Sequence, residues 1–65
     1  MQPTPLVTVC GSGGCPTVFT TEDDAVIVQG YLPEPRLSEG VPTGEARVVI
    51  PRELLNEAAR RLLAS

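Results

Sequence analysis

The chain predicts an α+β fold: a four-stranded, mostly antiparallel sheet (a β-meander plus one strand) with a C-terminal α-helix packed on one face. Three observations predict it. Before residue 32, three short runs of β-branched and aromatic residues alternate with turns rich in glycine or acid. After Ile50 the apolar period changes from 2 to 3.6. And 65 residues can fill only one core, which a single sheet face and a single helix stripe close with the fewest elements.

Residues 1–5 read as a flexible leader, because Pro3 and Pro5 interrupt regular pairing. Residues 6–65 form the single α+β domain. Leu6-Val7-Thr8-Val9 is the first expected strand. Cys10 to Pro16 is a turn dominated by glycine, which permits positive φ but does not sustain a strand. Thr17 to Thr21 is the second strand, every residue β-branched or aromatic. Glu22-Asp23-Asp24 turns the chain. Ala25 to Tyr31 is the third strand, and its run Ala25-Val26-Ile27-Val28 predicts burial on both faces or a central place in the sheet.

Residues 32–45 form a proline- and glycine-punctuated loop of about the length at which loops become uncommon. Arg36 to Glu39 suggests a helical turn within it, with Leu37 and Val41 placed to cover the open edge of the core. Ala46 to Ile50 is the expected fourth strand. Pro51 suits a first helical position, and Glu53 favours the positive end of the helix dipole. Leu54, Leu55, Ala58, Ala59, Leu62 and Leu63 then form one wide apolar stripe. Glu57 and Arg61 make an i, i+4 pair on the polar side.

The apolar share is 42%, too high for a disordered chain, but aromatics are only 3%, so the core is built from Val, Leu and Ile. The net charge is −3, carried with five Arg and without Lys or His. A nucleic-acid binder normally shows a basic face, so this balance argues against DNA or RNA. Arg without Lys fits the codon bias of a GC-rich bacterial genome. Neither a membrane-length apolar run nor the pattern of a signal peptide is present, which makes the cytoplasm the expected compartment.

Cys10 and Cys15, enclosing Gly11-Ser12-Gly13-Gly14, are the candidate site. Four readings are open. They can pack as free thiols, the usual state in a cytoplasm. As a disulfide they would remove about 2 kcal/mol of denatured-chain entropy. As zinc ligands they supply half of the four that a structural site takes, so a second chain or the carboxylates of Asp23 and Asp24 would have to complete it. As a redox or nucleophilic pair their spacing departs from C-x-x-C. The glycines are not a phosphate cradle, since Cys15-Pro16 and a strand stand where a P-loop has Lys and a helix.

The remaining candidates are weaker. The acidic turn reads as solvated, because three adjacent residues point apart. Tyr31 ends the third strand, where its ring can cap the core and its hydroxyl can reach water. Arg47 lies between apolar neighbours, facing solvent. Without His, Lys or a spaced Ser–base pair, catalysis has no constellation to work with.

Two resemblances add to this. Cys15 to Phe19, Val26 to Tyr31, Gly44-Glu45-Ala46 and Val49 to Leu55 together resemble a family of small actinobacterial proteins often encoded beside helix-turn-helix regulators. No activity is established for that family. The resemblance spans roughly residues 7–60 and implies an intracellular accessory or regulatory role, with a regulator as the partner. Ala46 to Leu54 is similar, over nine residues, to the strand-Ile-Pro-helix segment of AbrB-like swapped-hairpin DNA-binding proteins, which include antitoxins; the acidic balance departs from that pattern.

The leading expectation is therefore a non-enzymatic interaction or accessory module, linked to transcriptional regulation, with an unidentified protein partner or a second copy in a homodimer. Nucleic acid and membrane are not expected partners, and no cofactor is expected beyond the zinc alternative. One alternative is an antitoxin-like or AbrB-like DNA binder using Arg47, Arg52, Arg60 and Arg61. Another is a zinc- or redox-responsive protein using Cys10 and Cys15.

Overall fold

The computed structural model describes residues 2–64; Met1, in the expected leader, and Ser65 lie outside the described residues. Strands β1 (Thr4–Thr8), β2 (Thr17–Thr20) and β3 (Val26–Gln29) form one antiparallel sheet in the order β1-β2-β3, and helix α1 (Arg52–Ala64) follows at the C-terminal end. The α+β arrangement stands. The strand count does not: the sheet has three strands, not four.

The expected fourth strand, Ala46 to Ile50, pairs with the sheet at one residue only. Val49 and Tyr31 exchange N–H···O bonds, each 2.9 Å. On the N-terminal side the segment is held by its own loop. The Glu45 N–H donates to the Pro42 carbonyl, and the Arg47 guanidinium donates to the carbonyls of Leu37 and Glu39 at 3.0 and 3.2 Å. On the C-terminal side Pro51 leads into the helix. β-propensity is present, but the Arg47 side chain and the Glu45 N–H tie the segment to the loop and Pro51 has no N–H to give, so no ladder propagates. Arg47 is thus exposed, as expected, but braces the loop instead of standing on a strand.

β1 begins at Thr4, earlier than expected. Thr4 pairs with Thr20 and Pro5 with Phe19. Pro5 is tolerated because β1 is an edge strand and proline removes only a donor. The register shifts between Pro5 and Val7, making Leu6 a bulge. At the other end of β1, Thr8 and Thr17 meet through their hydroxyls at 3.0 Å. The Thr17 proton goes to the Cys15 carbonyl at 2.9 Å, so the Thr8 hydroxyl is the donor. That satisfies Thr17, the one buried polar side chain of the sheet.

The core is small. Val7, Val18, Leu54 and Ala58 are buried, with Leu6, Val9 and Ile50 packed against them. Val7 and Val18 are cross-strand partners on one face, and α1 lies over them. Of the six-residue apolar stripe, only Leu54 and Ala58 are buried; Leu55 and Leu63 stay exposed. The reason is the width of what lies beneath. The helix packs on β1 and β2 and not on β3, so only its innermost line of side chains is buried. The expected helical turn in the long loop is a 3-10 turn at Pro35–Ser38. It packs against no strand and leaves Leu37 exposed, so it covers no edge of the core.

Candidate functional site

Cys10 and Cys15 are joined as a disulfide. The turn it spans is also closed by its backbone: the Val9 N–H donates to the Pro16 carbonyl at 3.1 Å and the Gly11 N–H to the Gly14 carbonyl at 2.8 Å. The glycines have a steric cause. The Tyr31 ring lies over the turn, so a Cβ on Gly13 would stand 3.2 Å from Tyr31 Cε1, and one on Gly11 would stand 3.3 Å from the hydroxyl. Gly14 has φ +150°, a value that side-chain-bearing residues rarely adopt. The Tyr31 hydroxyl donates to the Gly14 carbonyl at 3.1 Å. Tyr31 therefore clamps the glycine turn; it does not cap the core.

A disulfide leaves no thiolate for a metal or for nucleophilic attack. Asp23 and Asp24 stand in the opposite connection of the meander, between β2 and β3. Among the described residues, no three His, Cys, Asp or Glu side chains are grouped to hold a metal ion. The acidic turn is organised by Thr21, whose hydroxyl accepts from the Asp23 N–H at 3.2 Å and donates to the Ala25 carbonyl at 2.8 Å.

Three of the four arginines of the DNA-binding alternative, Arg47, Arg60 and Arg61, are engaged by groups of the chain itself. Arg47 braces the loop as described. Arg60 and Arg61 both donate to the carboxylate of Glu57. The Arg61 hydrogen bond, then that of Arg60, holds the Glu57 carboxyl below the ordinary carboxylate range. Arg61 also donates to the Leu6 carbonyl at 2.8 Å.

What sequence reasoning missed is the surface at β3. The run expected to be buried on both faces or central in the sheet is exposed at the edge: Val26 46%, Ile27 44% and Val28 39%. Val28 is the cross-strand partner of Val18, so it lies on the helix-covered face, yet beyond the reach of the helix. Val26, two residues away, shares that face. Ile27 points to the other face, beside its partner Phe19. An open cleft of about 640 Å³ runs from the β2–β3 turn to the helix, lined by Thr20, Asp23, Asp24, Val26 and Leu62 among others. Leu62 therefore sits on the flank of α1 turned toward β3. Leu55, seven residues earlier, is on the same flank. An apolar shelf on β3 and an apolar helix flank thus border one groove. The signal was present in the uninterrupted apolar run, but it reports a need for burial and does not say by what.

No helix among the described residues is long and apolar enough to cross a membrane. No protein-family model, curated protein or solved structure matches the chain.

Proposed function

We propose that this chain is a small non-enzymatic protein-interaction module whose binding element is the β3 edge and the groove beside it. The observation that carries the reading is the exposure of Val26, Ile27 and Val28 on an edge strand. Scattered exposed apolar residues are ordinary, but a contiguous uncharged strand with open main-chain groups is a template for pairing. The lack of His and Lys in the sequence supports a non-catalytic role. The resemblance to proteins encoded beside regulators supports an accessory role in a cytoplasmic, regulatory setting.

The test is a comparison of binding by the wild-type chain and Val26→Asp, with folding of both verified by circular dichroism. The expected result is capture of a partner protein by the wild type and loss of that capture in the variant. A measured turnover of any substrate by the purified chain, or capture indifferent to the variant, would overturn the reading.

A further inference from the structure

Resting on the interaction-module reading, we infer that the partner at β3 is a second copy of this chain. The two β3 strands would pair antiparallel about a two-fold axis near Ile27, joining two three-stranded sheets into one continuous sheet.

The first argument is area. A folded monomer of 6.9 kDa is expected to expose about 4,000 Å². This chain exposes 5067 Å². The excess is on the order of 1,000 Å², against about 800 Å² that each partner buries in a standard interface. Among the described residues only four hydrophobic ones are buried, whereas Val26, Ile27, Val28 and Leu55 are among the large ones left outside. A core of that size is marginal for a domain this small, which then relies on a covalent staple or a partner.

The second argument is the contrast between the two edges. β1 is protected against pairing: Pro5 cannot donate, Leu6 is bulged, and the Leu6 carbonyl is taken by Arg61. β3 has no proline, no charge and no bulge. A protein that defends one edge and leaves Val26–Gln29 of the other open has a specific use for the open stretch.

The third argument is self-complementarity. Laid antiparallel on itself about Ile27, the strand sets Val26 opposite Val28 and Ala25 opposite Gln29. Pairing ends there, because the Tyr31 N–H and C=O are both taken by Val49, and no charged residue lies within the paired stretch. A two-fold interface closes on itself and leaves only the protected β1 edges at the ends of the joined sheet. The Leu55 and Leu62 flanks of the two helices would approach each other over the four β3 valines. β3 would also become central and covered, which is the environment its apolar run calls for.

The experiment is native mass spectrometry and sedimentation of the full chain, oxidised, over about 1 to 200 μM, a span chosen to bracket ordinary micromolar association. The expected species is a dimer at the upper end. Ile27→Glu, which sets two carboxylates at the axis, is expected to weaken it by at least about a hundredfold, while Leu63→Glu, on the outer face of the helix, leaves it intact. If Ile27→Glu does not fold, hydrogen exchange of the wild type decides: β3 amides should gain protection with concentration, and β1 amides should not. A wild-type chain that stays monomeric throughout, or a dimer unmoved by a folded Ile27→Glu, overturns self-pairing. The wider reading fails separately, by the Val26→Asp capture test.

Discussion

The guanidinium of Arg61 donates to the main-chain carbonyl of Leu6 at 2.8 Å, across 55 residues of sequence. Leu6 is the bulged residue of β1, and a bulge leaves a residue unpaired in the ladder. The helix thus answers an irregularity in the strand, and the same guanidinium holds Glu57 at 2.8 Å. Arg61→Ala is expected to cost about 1 kcal/mol, reduced from the usual value of a charged hydrogen bond because the group is half exposed. Urea denaturation measures it, and faster exchange at the N-terminal end of β1 should accompany it.

Glu57 gives the protein a pH dependence with a definite sign. Its folded pKa is lowered by Arg61 and then Arg60. A lowered carboxylate pKa contributes stability that is present above the unfolded value and is lost as pH falls through the folded one. The midpoint of unfolding should therefore drop on acidification through and below the ordinary glutamate range. Glu57→Gln should flatten that part of the curve. An unchanged slope in the variant would remove Glu57 as its source.

Gly30 is where the Tyr31–Val49 bridge becomes possible. A Cβ there would lie 2.6 Å from the Val49 carbonyl oxygen and 2.7 Å from Ile50 Cγ2. Gly30→Ala is expected to cost about 1–3 kcal/mol, as overpacking against fixed backbone does. Nuclear magnetic resonance should show the Tyr31 and Val49 amides losing protection first.

Leu54 and Leu63 separate what the helix contributes from what it merely displays. Leu54 is fully buried and Leu63 is 87% exposed. Leu54→Ala should cost about 2–5 kcal/mol, enough to unfold a domain of this size. Leu63→Ala should stay within about 0.5 kcal/mol. Thermal melts of the two variants side by side check the contrast.

The disulfide and the Tyr31 clamp act on the same turn. Cys10→Ser with Cys15→Ser should cost about 2 kcal/mol by the loop-closure estimate. Tyr31→Phe should cost at most about 1 kcal/mol, since its hydroxyl bond to Gly14 is exposed. Because both hold one loop, the combined variant should depart from additivity, which denaturation of all three chains would show.

The helix was legible in the chain because its evidence is local: Pro51 before the first turn, Glu53 near the positive end, and a 3.6-residue apolar period. The three strands of the meander were legible for the same reason, from β-branched runs punctuated by turn residues. The failure at Ala46 to Ile50 came from bonds that propensity cannot see. Arg47 and Glu45 belong to the loop, so Val49 alone reaches Tyr31. Likewise the glycines of the Cys10–Cys15 turn were readable as a turn, but only the packed Tyr31 ring gives the reason they are small. What the chain decided alone was its element types and its appetite for burial. Tertiary structure decided where that appetite was met, because a helix resting on two strands leaves the third, Val26 to Gln29, without cover.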